Sequence, residues 1–533
     1  MPVTKPLALK WVFAYKTNPD GSVIVGKEKA RLVAQGFRQC PEDFGETAAP
    51  VAKLASIRVL LAWASVQDLE IFQFDCKTAF LHARLKHDVY CRPVSGWPMQ
   101  DPKNVLKILA ALYGLRQSAY EFYMLFFSLL SDLGMLRCEC DHGVFFGLWT
   151  TPPDPSISMP SDGSPLTLFV PIHVDDGLGI TNSAPLYKWF LHSLAERLHI
   201  VDLGCCAKFL SIVIVRDRPH RRLWLSSHVY VAELLSDWNL SSCRPASTPL
   251  PCSGIPQVAP PNAIPDISDT DLLPKYQCLV GCLLYLAVST RPDIAYASMW
   301  LGQFSSNPTR SHFLAAKHVL QYLAGSRLLA LEYSATQPST PDSLRGFMHN
   351  LGCSDADWAS DPGDRWSISG YCFFFQGSLV SWSAVKQRAI ALSSTEAEYY
   401  ALTHAFKEAL WLRVFLSSLH LPFHFLFLYS VTIKQQFPFL LLLPFRVALN
   451  TSISDFILFA HMFPTGLFLQ LGYPLPTCLP IFSLNPCLHP LSLITVTYSA
   501  LSLFLLLRFL SFLASSCGGV LDYIHSRMRR VIS

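Results

Sequence analysis

Charge is what this sequence has least of. Only 15% of its 533 residues are Asp, Glu, Lys or Arg, and beyond about residue 420 they nearly vanish. The net charge of +4 averages a polar first part and an apolar last part, so by itself it marks out no nucleic-acid partner. Cysteine occurs sixteen times, yet never as a C-x-x-C pair or in a His/Cys cluster at zinc spacing, which excludes the common structural zinc sites. The close pairs Cys138/Cys140 and Cys205/Cys206 fit no such site either. The thiols read as ordinary buried side chains of an intracellular protein rather than a disulfide framework. The first residues, MPVTKPLALKWVFAYK, lack the apolar core and cleavage site of a secretory signal, so export is not expected. The length exceeds what one hydrophobic core organises, and two or three domains are expected.

What is present has α+β patterning. Residues 11–65 alternate β-like runs (WVFAYK, ARLVAQGF) with a turn at Asn18-Pro19-Asp20-Gly21 and a helix-like stretch from Ile57 to Val66. A strand-like run leads into FDCKTAFL, and a helical stretch lies around Tyr120–Leu133. The Pro/Ser-rich insert 151–165 reads as an exposed loop. LTLFVPIHV then runs into Asp175-Asp176-Gly177, followed by a helix ending near Leu198. Residues 241–270, rich in Pro, Ser and Asp, suit a linker. A helical block at 276–326 leads to a second α+β unit at about 345–416. Beyond about 420, Leu, Phe and Pro dominate, and Ile494–Ser515 is long enough to span a bilayer.

Two features carry chemistry. FDCKTAFL puts Asp75 at the end of an apolar run, and HVDD puts two adjacent acids where another apolar strand turns. Neighbouring residues on a strand point to opposite faces, so Asp175 and Asp176 serve one metal only at a turn, which Gly177 permits. Acids converging from separate strands are what two-metal phosphoryl or nucleotidyl transfer requires. Either motif alone is as well explained by solvated turn residues.

Together with KARLVAQGF (29–37), ETAAPVAKLASIRVLLAWAS (46–65), DLEIFQFDCKTAFL (68–81), LYGLRQSAYEFY (112–123), RDRPHRRLWLS (216–226) and TRPDIAYA (290–297), these motifs resemble the reverse transcriptase region of Ty1/copia-type retrotransposon polyproteins. The resemblance implies an α+β right-hand polymerase with fingers, palm and thumb and an antiparallel palm sheet. It implies Asp75, Asp175 and Asp176 as a catalytic triad holding two Mg²⁺ or Mn²⁺ ions, with Asp176 contributing least directly. Phe80 matches the steric gate that favours dNTPs over rNTPs, although a core Phe after a strand fits the same position. Lys29 and Arg31, with Lys27 nearby, fall where the fingers present cations to the triphosphate, and Gln117 matches a dNTP-contacting glutamine. His173 stands in place of the usual Tyr and Ser118-Ala119-Tyr120 in place of Ala-Pro-Arg, departures that predict tuning rather than loss.

CSDADWASD (353–361) and ALSSTEAEYYAL (391–402) resemble the start of the family's RNase H domain. Asp355 and Glu398 would be its first two acids, with Asp357 and Glu396 as neighbours. The later motifs are missing in this frame. They return when each codon's third base is read with the first two of the next: Val431–Phe437 then permits D-N-Q-A-A-I, Leu449–Phe459 K-H-I-D-I-R-F-H-F-I, and Leu471–Pro486 W-V-P-T-T-H-M-P-A-D-I-F-T-K-P-L. A frameshift between about Pro422 and Val431 is therefore the reading adopted for the tail, since shifted codons with a central T encode Leu, Phe, Ile and Val. The sheet is then expected to lack its later strands, and the chain to lack RNase H activity.

The expected domains are 1–245 fingers and palm, 246–275 linker, 276–344 helical thumb or connection, 345–422 partial RNase H-like α/β domain, and 423–533 irregular apolar tail. The expected partners are a primed RNA or DNA template, dNTPs and other polyprotein products. The expected locations, by resemblance, are cytoplasmic virus-like particles and the nucleus. No gag, protease or integrase pattern is expected before residue 10. The competing readings are an inactive retrotransposon remnant and a membrane anchor formed by the tail.

Overall fold

Apolar runs broken by turns build the sheet that carries the first candidate acids. The computed structural model describes residues 6–15, 26, 28–94, 104–251, 271–335, 350–359, 363–421, 426–432 and 438–444. They fall into two units, residues 1–224, 332–338 and 411–423 in the first, and 225–331, 339–410 and 424–533 in the second.

In the first unit, β1 (Leu9–Ala14) and β2 (Lys29–Ala34) pair antiparallel; the turn expected at 18–21, and Lys27, lie outside the described residues. Helix α1 (Leu54–Gln67) buries Val59, Leu60, Leu61, Ala62 and Ala64. Its own N-cap, Lys53, makes no side-chain cap. The buried Asp141 carboxylate supplies one from a distant segment, accepting from Lys53 N at 2.9 Å and from Ser56 Oγ. The strands that follow are β3 (Glu70–Cys76), β4 (Arg84–Cys91) and β5 (Leu106–Ala110). After α2 (Ser118–Asp132) come β6 (Leu136–Arg137), β7 (Val144–Trp149), β8 (Leu166–His173) and β9 (Asp176–Thr181). Helix α3 (Ala184–Ala195) and β10 (Ile200–Cys205) complete the main layer.

The main sheet has the order β10-β3-β9-β8-β7-β6, with every neighbouring pair antiparallel. Phe74 of β3, Phe126 of α2, Phe145 of β7 and Phe190 of α3 meet in one aromatic core. The insert 151–165 is not wholly exposed: Ile157 is buried in that core and Met159 packs on it, so an apolar side chain pins the loop. A strand, β9, separates the paired acids from the helix, and α3 ends at Ala195, short of Leu198. A smaller sheet has the order β11-β12-β13-β14, built from Lys208–Phe209, Ile212–Asp217, Arg222–Ser226 and Leu331–Ser334. The end of the block expected to be helical is therefore a strand.

In the second unit, Tyr230 of α4 (His228–Asp237) and Trp238 at its C-cap pack edge-on against Tyr285 and Phe313. These contacts explain why the first unit ends at Trp224 rather than at 245. Helices α5 (Leu272–Ser289), α6 (Ala295–Gly302) and α7 (Arg310–Gly325) match the expected helical block. Among the described residues, α5 alone is long and apolar enough to cross a membrane. Its Tyr276, Leu279, Leu283 and Leu286 are buried as core side chains. The expected span Ile494–Ser515 lies outside the described residues, as does most of the linker.

Strands β15 (Asn350–Ala356), β16 (Ile368–Phe375) and β17 (Ser378–Lys386) precede α8 (Ser394–Ser418). Two further strands, β18 (Leu426–Thr432) and β19 (Pro438–Pro444), complete a sheet of order β17-β16-β15-β18-β19, with β18 parallel to β15. The expectation that this sheet lacks its later strands, and that everything past 423 is irregular, is corrected for these residues. An unpaired edge is a template for any apolar run of strand length. The reading-frame motifs at 433–437, 449–459 and 471–486 lie outside the described residues. Cys40, Cys205 and Cys278 are exposed, so not every thiol is buried as expected.

Candidate active site

Three strands bring the first acids to one row. Asp75 on β3 stands opposite Asp176 on β9, which in turn stands opposite His173 on β8. Directly opposed residues share a face of the sheet, so Asp75, Asp176 and His173 line up across it. Asp175 sits in the two-residue turn between β8 and β9, and its carbonyl accepts from Cys76 N at 3.0 Å, tying the turn to β3.

The turn is made in a way the sequence reading did not expect. The residue with a left-handed backbone is Val174, at φ +63, not Gly177. A β-branched side chain is costly there. Gly177 lies inside β9, where a Cβ would come within 2.2 Å of the Phe74 ring. Its role is to let Phe74 pass beneath the acids, and Gly179 does the same for Tyr187.

Each acid is half-buried. Burial first, then the negative charges of Asp175 and Asp75, push the Asp176 carboxyl above its ordinary value, while Lys77 opposes them. The Lys77 ammonium forms an ion pair with Asp75. Burial and the same two aspartates push the Cys76 thiol up to about 12. Burial also holds the His173 imidazole below its usual value, against the pull of Asp175.

Arg31, Tyr113 and Phe80 form a second row. The Arg31 guanidinium carbon lies 5.6 Å from the centre of the Tyr113 ring, and that ring packs on Phe80 at 4.8 Å. Burial and Asp175 raise the Tyr113 phenol, while Arg31 lowers it, so the two rows feel each other's charge. Sequence reasoning missed Tyr113, although an aromatic beside a glycine inside a quoted motif was the available signal. Backbone bonds from Ala34 N to Tyr113 O (2.8 Å) and from Gly36 N to Gly114 O (3.2 Å) stitch β2 to this loop. Gly114 has φ +90, and a Cβ there would reach Ala34 O at 2.2 Å.

Lys29 is exposed on β2. Phe80 is both a packing residue against the core and a partly exposed one. Gln117 is only 1% exposed. Its amide oxygen accepts from Gln39 Nε2 at 3.0 Å and its nitrogen donates to Asp43 O at 3.3 Å. Both ends of Gln117 are thus engaged inside the protein, and the structure does not bring it to the surface beside Arg31.

In the second unit, Asp355 of β15 and Glu398 of α8 do meet. Burial first, then the charge of Asp355 and a hydrogen bond to it, push Glu398 up to about 9. Their neighbours do other work: Asp357 accepts from Ile368 N, and Glu396 accepts from Leu392 N at 2.7 Å at the start of α8.

Carboxylate oxygens are hard donors suited to Mg²⁺ or Mn²⁺. Among the described residues no three His, Cys, Asp or Glu side chains stand ready as a metal cage. The mutual repulsion that raises Asp176, and the ammonium already resting on Asp75, show a site that gains from positive charge. The donor set of the first unit fits a divalent cation.

The family described as Reverse transcriptase (RNA-dependent DNA polymerase) matches residues 2–252. The chain is 36% identical over 422 residues to the retrovirus-related Pol polyprotein from transposon TNT 1-94 of Nicotiana tabacum, covering 78% of this chain and 30% of the relative. It is 34% identical over 414 residues to the corresponding polyprotein from transposon RE1 of Arabidopsis thaliana, covering 77% and 26%. The chain thus spans less than a third of these relatives' length. Among solved structures, a foamy viral protease-reverse transcriptase in complex with double-stranded DNA aligns over 85% of this chain and 65% of its own, at 11% identity and a TM-score of 0.38. The family match and the transposon relatives identify the chain as a member of the reverse transcriptase family of Ty1/copia-type retrotransposon Pol polyproteins.

Proposed function

We propose that the first unit is an RNA-directed DNA polymerase that joins dNTPs to a primer. The observation that carries this is the opposition of Asp75 and Asp176 across β3 and β9, with Asp175 in the turn between β8 and β9, close enough to the Arg31–Tyr113–Phe80 row for its charge to act on Tyr113. In the reaction the primer 3′-oxygen forms a bond to the α-phosphorus, the bond to pyrophosphate breaks, and the hydroxyl proton leaves to solvent. Mg²⁺, when bound, supplies the positive charge that activates the hydroxyl and steadies the triphosphate.

Asp75 and Asp175 hold that charge in place, and Asp176 supports them from the strand behind. Lys77, paired with Asp75 in the metal-free chain, would have to give up that carboxylate to a bound ion. Arg31 and Lys29 take the triphosphate. Tyr113 fixes the direction of Arg31, and Phe80 meets the sugar where a 2′-hydroxyl would clash. Gln117 acts from behind, steadying Gln39 and the loop after β2. His173, kept neutral, lies beside the primer terminus. The fingers and palm correspond to the β1/β2 hairpin and the six-stranded sheet, and the helices of the second unit to the thumb. A template gripped through its backbone makes binding salt-dependent and nearly independent of sequence. No RNA cleavage is expected from the Asp355–Glu398 pair, since the sequence that follows in this frame lacks the later acids that the resemblance implies.

The test is Mg²⁺-dependent incorporation of labelled dNTP by the chain on a primed RNA template, beside Asp175→Asn. Incorporation that disappears in the variant supports the reading. Equal signals from both proteins, or none from folded chain, overturn it.

A further inference from the structure

Two thiols of the first unit stand in contact away from the polymerase row. After the short strand β6 the chain bends at Glu139 and Cys140, which turns Cys140 back on Cys138 and leaves their Sγ atoms 3.6 Å apart. Residues two apart are at most about 7 Å between Cα atoms, and a bend shortens that into the range of about 4.4–6.8 Å that a disulfide spans. The backbone around them is held. Cys138 N donates to Val144 O at 2.9 Å, Trp411 Nε1 donates to Cys140 O at 3.3 Å, and the next residue, Asp141, is the carboxylate that caps α1. Trp411 and Ser418 belong to the part of α8 that falls in the first unit.

The two sulfurs are unlike. Cys138 is 0% exposed, whereas Cys140 is half-buried. Ser418 Oγ lies 3.1 Å from Cys138 Sγ and 2.9 Å from Phe415 O, so its one proton can be donated to the sulfur. A hydrogen bond from the Cys140 thiol, aided against burial by the one from Ser418, holds Cys138 down to about 6, while its counterpart, with burial, raises Cys140. The pair thus parts easily with its first proton and reluctantly with its second. A thiolate beside a thiol that solvent can reach is the arrangement that exchanges with disulfides. Buried thiols that merely fill space are neutral and inert.

We propose that Cys138 and Cys140 form a thiol–disulfide exchange site, which a small disulfide oxidises to a bond between their two sulfurs. The Cys140 sulfur, reached from solvent, attacks one sulfur of the oxidant while its proton passes to Cys138; the oxidant's S–S bond breaks and one small thiolate leaves. The proton on Cys138 then passes to that thiolate, the Cys138 sulfur attacks Cys140, the mixed disulfide breaks, and the second small thiolate leaves. Two electrons pass from the pair to the oxidant, which ends as two small thiols. The sulfurs close from contact to a bond of about 2.0 Å. Because the fold stabilises the thiolate, it favours the reduced pair, and the bond reopens in excess thiol. The site is independent of the polymerase reading.

For the test, the full chain is incubated with glutathione disulfide at neutral pH, its free thiols are blocked with iodoacetamide, and the peptide holding residues 138–140 is weighed by mass spectrometry. The expected product is that peptide with two hydrogens lost, at least about tenfold in excess over glutathione carried on Cys140, and reduced glutathione in excess reverses it. Cys138→Ser is expected to leave glutathione trapped on Cys140, and Cys140→Ser to leave the buried Cys138 unmodified. Both thiols staying reduced while the exposed Cys40 takes up glutathione overturns the site, and so does a bond from either cysteine to another part of the chain or to a second copy. Glutathione resting stably on Cys140 of the unsubstituted chain, or a bond that excess reduced glutathione does not reopen, overturns the exchange step. Should a variant fail to fold, the product formed by the unsubstituted chain decides.

Discussion

Asp75, Asp175 and Asp176 in the first unit and Asp355 and Glu398 in the second are both clusters of acids where a strand meets another element, yet they settle their repulsion differently. The first cluster is half-exposed, keeps an ammonium on Asp75, and faces Arg31 across Tyr113. The second has Glu398 only 5% exposed, and there the proton stays to about pH 9. A half-open cluster neutralised by an exposed lysine can exchange that lysine for a divalent ion without desolvating anything new. A buried pair neutralised by its own proton must lose the proton and admit an ion into an apolar surround, which is far less favourable. Two sets of acids that look alike in one dimension thus differ in how their charge is balanced.

The largest effect separates the clusters outright. Asp175→Asn is expected to lower dNTP incorporation by more than about a hundredfold, beyond the loss of an outer-shell partner, whereas Asp355→Asn leaves it unchanged in the same primer-extension assay. Next, the first cluster depends on the close packing beneath it. Gly177→Ala drives a methyl into Phe74 and is expected to destabilise the first unit by roughly 1–3 kcal/mol, read as a lower Tm.

The second cluster has its own signature in pH. Glu398 releases its proton in the folded chain near 9 and at the ordinary value of 4.5 when unfolded. Between these values the folded state binds more protons, so the pair's contribution is complete below about pH 4.5 and is lost as pH rises towards 9. The free energy of unfolding of the second unit in urea should fall with rising pH by no more than about 1.4 kcal/mol per unit, and Glu398→Gln should flatten that slope. The smallest effect belongs to the exposed ion pair. Lys77→Gln removes the cation competing for Asp75 and is expected to lower the Mg²⁺ concentration at half-maximal incorporation by at most about fivefold.

Much of the first cluster was legible because its acids end apolar runs, and apolar runs of that length become strands. Asp75, Asp175 and Asp176 stood out in this way and were assigned as a triad through the resemblance; the structure adds that Asp75 and Asp176 share one face, with Asp175 in the adjoining turn. What could not be read is what depends on the partner strand. The closure of the β8/β9 hairpin forces the left-handed backbone onto Val174, and the usual association of glycine with turns pointed instead to Gly177, whose constraint is the Phe74 ring. Gln117 was read as a ligand contact from its motif, but burial is a property of the packed chain, and packing turned it inward. Tyr113 passed unnoticed because its role exists only once β2 is stitched to its loop. In the second unit, composition suggested an irregular tail from 423. The missing consideration was the free edge of β15, which pairs with Leu426–Thr432 whatever the origin of that segment.

We propose that the first cluster, not the second, takes the divalent ion. Its most direct test is Mn²⁺ titration of the chain, followed by electron paramagnetic resonance, beside Asp175→Asn and Asp355→Asn. Bound Mn²⁺ is expected to be lost in Asp175→Asn and retained in Asp355→Asn. Retention in the first variant with loss in the second would contradict it.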